Sequence, residues 1–282
     1  MLLRLISRLP LPVLYVLCGA IAWLMRVGGW RRALVDNGLA RCLPEKTVEE
    51  RAAIARDFYR GLGQLVAEIL HGSRMSADEL DHRLRFENDA VVRDALAQGR
   101  RVLLLAGHHC NWEWLLLGAS RRFCEPITMP YKRISLDSAD RWARETRSRF
   151  GATMVLASDI GPYLVARRRK VKLIGMLADQ SPSWSNEGQV WLPFFGQDTA
   201  FFQGPGWIGA RLQFEPVFVA MRPDGKGRYV ARFVPLGAPG ERLDSDEILT
   251  AYVRALERQI RGHPAQYFWA YNRWKRGKHP HD

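Results

Sequence analysis

The stretch "GHHCNWEW", Gly107 to Trp114, carries two histidines, a cysteine and a carboxylate. A carboxylate resting against one imidazole nitrogen fixes the tautomer and raises the basicity of the other nitrogen. An imidazole prepared in this way is a general base suited to deprotonating an alcohol. His108 and Glu113 have four residues between them. On a regular helix that spacing turns two side chains to different faces, so their meeting requires a turn that opens into a helix. His109 and Cys110 are adjacent ligand types, but no distant pair completes a zinc set, so no metal and no cofactor is expected.

The flanking pattern supplies such a turn. "RVLLLAG" (Arg101 to Gly107) is a short apolar run ending in glycine, the signature of a buried strand, and Trp112 to Arg122 follows as a helix. Further strand candidates are "EPITMP", "GATMVLA", "KVKLIGMLA" and "EPVFVAM", while "GRYVARFVPL" alternates like a more exposed strand. Helical segments are expected at Ser138 to Phe150, Ile160 to Arg169, Phe202 to Leu212 and Ser245 to Gly262. Strands alternating with helices predict an α/β fold, a central sheet flanked by helices. Ligands of such sheets sit beyond the carboxyl ends of the strands, where His108 falls.

The first half is helical. In residues 45 to 71, Ile54, Phe58, Leu62, Leu65 and Ile69 recur at helical spacing, and Thr47 with Glu50 forms a capping box. Leu9 to Met25 is an apolar run, with Arg4 and Arg8 before it and Arg26, Arg31 and Arg32 after it. It falls slightly short of the about 20 residues a spanning helix wants. The basic flanks, with Trp23 and Trp30, suit an uncleaved membrane anchor that spans or lies in the interface; an ordinary buried helix is the alternative. The expected organisation is an anchor over 1–30 and one catalytic domain over 31–282. The chain has 282 residues with 42 Lys and Arg against 29 Asp and Glu, a net charge of +13. This excess attracts anionic partners. Basic residues are spread along the chain without a nucleic-acid-binding motif, which assigns the charge to an anionic membrane surface and an acidic protein, not to nucleic acid. Four cysteines without a CxxC pair read as structural thiols of a reducing compartment.

"GHHCNWEW" resembles the H-x4-D/E signature of glycerolipid-type acyltransferases, and in its H-x4-E form the late acyltransferases of lipid A biosynthesis. "MPYKRISLDSADRWARETRSRFGA", "LADQSPSWSNEGQVWLPFFGQDTAFFQGPGWIGARL" and "AQYFWAYNRWKRG" resemble further blocks of that family in the same order. The resemblance implies a glycerolipid-acyltransferase-like mixed sheet with an N-terminal anchor. It implies transfer of an acyl chain from an acyl-carrier-protein or coenzyme A thioester to a hydroxyl of a membrane glycolipid, at the cytoplasmic face of a bacterial inner membrane. His108 would take the hydroxyl proton and Glu113 would orient it. Arg147 and Arg149 would bind the oxyanion or an acceptor phosphate, and Asp179 would hold an arginine or shape the acceptor site. Beside these roles stand plainer ones: a solvated basic face for the arginines, a helix cap for Asp179, core packing for "LPFFG". His109 with Glu113 also resembles the HHxxxD motif of condensation-type acyltransferases, whose downstream blocks do not match. Ala265 and Tyr271 replace the family's common Glu and His, which leaves open another acceptor: a lysophospholipid, an ornithine lipid or an aryl-polyene-type product. A basic nucleic-acid-binding protein and an inactive membrane scaffold are the readings from other classes.

Overall fold

A computed structural model describes residues 2–182 and 188–274. Part of the "DQSPSWSNEG" block (183–187) and the tail from residue 275 lie outside the described residues. In chain order the elements are α1 (Leu2–Ile6), α2 (Leu11–Val27), α3 (Arg32–Cys42), α4 (Val48–Gly72), α5 (Ala77–Arg83), β1 (Leu84–Glu87), α6 (Ala90–Ala97), β2 (Arg101–Ala106), α7 (Trp112–Arg122) and β3 (Ile127–Tyr131). There follow α8 (Asp137–Ser148), β4 (Thr153–Leu156), α9 (Ile160–Ala166), β5 (Leu173–Leu177), β6 (Gln189–Phe194), β7 (Gln197–Phe202), α10 (Gly204–Leu212), β8 (Phe214–Pro223), β9 (Tyr229–Pro235), α11 (Ser245–Gly262) and a 3-10 turn (Pro264–Gln266).

Seven strands form one sheet in the order β1-β9-β8-β2-β5-β3-β4. Pairing is parallel except between β8 and β9, so the sheet is mixed. Both faces are covered. Leu103 and Leu105 of β2 point into a core shared with α4, α11 and the C-terminal segment, and Val102, Leu104 and Ala106 point into a second core under α7. Double burial explains why β2 reads as an unbroken apolar run. The sequence pattern anticipates α7 and α11 residue for residue, and the Thr47–Glu50 capping box forms as expected.

Two expectations need correction. β9 is less exposed than its alternation suggests, because it lies between β8 and β1; Tyr229, Val230, Ala231 and Phe233 are buried. Phe202 closes the β6–β7 hairpin, and α10 starts only at Gly204, beside Pro205. Strand β1 is not among the expected strands: Leu84 and Phe86 alternate with Arg85 and Glu87, but over only four residues.

Helix α2 turns Leu11, Leu14, Cys18 and Ala22 inward, in a cluster shared with Ala67 and Leu70 of α4. Contact is so close that a Cβ on Gly63 would lie 2.8 Å from the Cys18 carbonyl oxygen. The outer face of α2 leaves Val13, Val16, Leu17, Ile21, Leu24 and Val27 exposed. Among the described residues no single helix is long and apolar enough to cross a membrane. α2 and α3 would suffice together by length and composition, but they bend by 83° at the break. The four cysteines are free, and all but Cys124 are buried.

Candidate active site

β2 and β5 are neighbouring parallel strands, with Ala106 opposite Leu177 as their last pair. Two residues further along each strand stand His108 and Asp179. Asp179 grips the histidine twice: Oδ2 accepts the His108 backbone N–H at 2.9 Å and Oδ1 accepts from Nδ1 at 2.6 Å. Gly107 permits this approach, since a Cβ there would come within 2.6 Å of Leu256 Cδ1 and 3.6 Å of the Asp179 carboxyl carbon. With Nδ1–H donating to the carboxylate, Nε2 keeps its lone pair. Trp112 packs edge-on against the imidazole, ring centroids 4.9 Å apart, and Phe268 N–H donates to the His108 carbonyl at 3.0 Å.

Burial alone would depress the His108 pKa, but the charge and hydrogen bond of Asp179 outweigh it and the net direction is upward. Burial would likewise raise the Asp179 carboxyl; the imidazole and the backbone donor hold it below the ordinary range. The pair is therefore a base whose charged form is favoured.

Glu113 does not occupy the orienting position expected for it. It lies in the first turn of α7, and both its oxygens are taken by Arg147 of α8, Nε at 2.8 Å and Nη2 at 2.5 Å. Its charge still acts on His108 through space, raising its pKa, while Arg147 lowers it. Arg147 is held in its charged form, Glu113 overcoming the opposing effect of burial. Arg149, expected to touch the oxyanion or a phosphate, is elsewhere. Its guanidinium donates to the Gly72 carbonyl at 2.6 Å and the Met75 carbonyl at 3.0 Å, and so caps the end of α4. Orphan carbonyls at a helix C-terminus draw a cation in this way. Asp179 is not a helix cap; it bonds the histidine twice, and the charge of Arg273 also helps to hold it ionised.

His109 is buried, its Nε2 donating to the His263 carbonyl at 3.0 Å, and burial pushes its pKa down to about 3. Among the described residues no group of three or more His, Cys, Asp or Glu is arranged to hold a metal ion.

A model of bacterial lipid A biosynthesis acyltransferases matches residues 1–276. The chain belongs to that family. It is 23% identical over 276 residues to the lipid A biosynthesis palmitoleoyltransferase of Escherichia coli K12, covering 95% of this chain and 87% of that protein. Identity and coverage are the same for the lipid A biosynthesis acyltransferase of Shigella flexneri.

Most of the further residues around this acyltransferase's candidate site stand out only in the fold. Gln180 places its side-chain Nε2 3.3 Å from His108 Nε2. Glu68 of α4 is fully buried and accepts from four donors: Tyr15 (3.0 Å), Gln64 (2.8 Å), Asn111 (2.8 Å) and Tyr229 (2.7 Å). Asn111 also caps α7 through the Trp114 N–H at 2.9 Å, so Glu68 ties α2, α4 and β9 to the turn after His108. Arg273 lies buried over the Phe201 ring and donates to Ser181 and Ala200, and the Tyr271 hydroxyl accepts from the Ser181 N–H at 3.0 Å. These belong to the "AQYFWAYNRW" block, which folds back along the histidine turn. Phe194 of "LPFFG" is completely buried, as core packing requires. The Glu68 network was legible only as a glutamate on the inner face of an amphipathic helix.

Behind Trp112 a small apolar cavity of about 40 Å³ lies between the sheet and α7, lined by residues including Leu104, Leu115, Met129, Gly175 and Met176. One tryptophan separates it from the imidazole.

Proposed function

We propose that this acyltransferase moves a fatty acyl chain from an acyl-carrier-protein or coenzyme A thioester to a hydroxyl of a lipid A precursor. His108 Nε2 takes the proton of the acceptor hydroxyl, with Asp179 holding the tautomer and sharing the positive charge that develops. The alkoxide attacks the thioester carbonyl, and the protonated histidine returns its proton to the departing sulfur. Glu113 and Arg147 act as a fixed ion pair that sets the field at the ring.

The observation that carries this reading is the His108–Asp179 pair. The relatives supply the acceptor class by their names. The exposed apolar face of α2, with Arg26 in its last turn and Arg31 and Arg32 beyond its end, supports seating on an anionic membrane surface at the cytoplasmic side of the inner membrane. A mass spectrum of lipid A and total lipids, from cells lacking this protein and cells overproducing it, tests the reading. Lipid A one acyl chain lighter in the deletion is the expected result. Unchanged lipid A with a shift in another lipid class moves the acceptor; no shift in either removes the proposal.

A further inference from the structure

We propose that Gln180 is a catalytic residue whose side-chain amide donates to the oxyanion formed on the thioester carbonyl. The inference rests on the acyl-transfer reading above. Asp179 occupies Nδ1 of His108, so Nε2 is the nitrogen left to take a proton. The Gln180 amide stands beside that atom at 3.3 Å. Without substrate it donates weakly to the Nε2 lone pair. An acceptor hydroxyl must displace it there, and the displaced N–H is then free within one group's length of the reacting carbon.

Several other donors near the histidine are already engaged. Arg147 Nε and Nη2 bind Glu113. Arg149 is fixed on α4 carbonyls. The backbone N–H groups of His108, His109 and Cys110 donate to Asp179, to the Gly107 carbonyl and to the Gln266 carbonyl. The Asn111 amide binds Glu68, and the Ser181 N–H binds Tyr271. An oxyanion in a low-dielectric site needs a donor aimed where charge develops, and Gln180 meets that need without carrying a charge of its own.

In the step, the acceptor O–H bond breaks and its proton goes to Nε2 as the O–C bond forms. The carbonyl π pair moves onto oxygen, where Gln180 stabilises it. On collapse the pair returns, the C–S bond breaks and sulfur takes the proton from Nε2.

The test uses the full chain in detergent with a purified lipid A precursor and either an acyl-coenzyme A or an acylated acyl-carrier protein as donor. Gln180→Ala should lower kcat about a hundredfold, the scale of losing one oxyanion donor, with both KM values unchanged. It should also move the acidic limb of the kcat/KM profile upward, because a donor on Nε2 favours the neutral imidazole. The other charges facing the ring, Asp179, Glu113 and Arg147, stay the same in this variant. Gln180→Glu keeps the shape and loses the donor, so it should fall at least as far; its melting temperature checks the fold. If kcat stays within threefold in either variant, or if the loss is confined to the acceptor KM, Gln180 is not the oxyanion donor. A wild-type protein without transfer activity would overturn the acyl-transfer reading itself, a different outcome from an active enzyme indifferent to Gln180.

Discussion

His108 and Asp179 are 71 residues apart in the chain and 2.6 Å apart in the fold, each standing two positions beyond the last paired residue of adjacent parallel strands. The register Ala106 to Leu177 aligns them, and the doubled hydrogen bond fixes both the ring and the backbone that carries it. An imidazole held this way has one defined tautomer and one nitrogen left to take a proton.

Removing the charge of Asp179 tests that pairing. Asp179→Asn should lower kcat by about a hundredfold or more, the usual scale for a disabled base. The sign of the pH effect follows from the direction of the shift. Asp179 raises the pKa of His108, and the base works only when neutral, so the wild-type acidic limb should lie above the ordinary histidine value of about 6.5. In Asp179→Asn the limb should move to lower pH while the plateau falls. A pH-rate profile of both proteins decides it.

Glu113 and Arg147 should behave as a unit. Glu113→Gln leaves Arg147 charged beside His108 without its partner, which lowers the imidazole pKa and weakens the base. We expect at least a tenfold loss in kcat and an acidic limb displaced downward. Adding Arg147→Met to Glu113→Gln should recover part of the loss. Strictly additive effects in a double-mutant cycle would contradict the pair.

Arg149 should matter for stability and not for chemistry. Its two bonds to α4 carbonyls predict a loss of about 1–2 kcal/mol in Arg149→Ala. The activity per folded molecule should be that of the wild type. A hundredfold drop in kcat at unchanged melting temperature would return Arg149 to the site.

The buried Glu68 should make stability depend on pH. Burial raises its pKa against four hydrogen bonds that lower it, so the folded state binds this proton more tightly than the unfolded state. That contribution is complete at low pH and declines as pH rises above the unfolded carboxyl value of about 4.3. Glu68→Gln should melt below the wild type, because its NH2 faces donors, and the gap should narrow as pH increases. Melting temperatures of both proteins from pH 4 to pH 8 measure the trend; a widening gap would show a carboxylate stabilised by its donors.

The two faces of α2 separate membrane binding from folding. Val16→Ser with Leu24→Ser alters the exposed face and should weaken sedimentation with anionic vesicles without lowering the melting temperature. Leu14→Ser, at a buried position against α4, should destabilise the fold by about 2–4 kcal/mol. Equal vesicle binding by the outer-face variant would locate the membrane contact elsewhere.

Composition and periodicity determined the class of this protein. Short apolar runs marked β2 and β5, helical spacing marked α4, α7 and α11, and the order of the motif blocks marked the family. The general base was also legible, because strand, glycine, histidine and helix follow one another locally. Its partners were not. The carboxylate nearest in sequence, Glu113, turns with α7 toward Arg147, while Asp179 arrives on a strand that pairs with β2 only once β3, α8, β4 and α9 have been wound around the sheet. Arg149 stands next in pattern to Arg147, yet it leaves the site because α8 ends there and its guanidinium finds the carbonyls of α4. Local sequence fixes which residue types are available and how each turn of chain runs. Which side chains meet is set by strand order and helix packing, and those depend on burying both faces of one sheet.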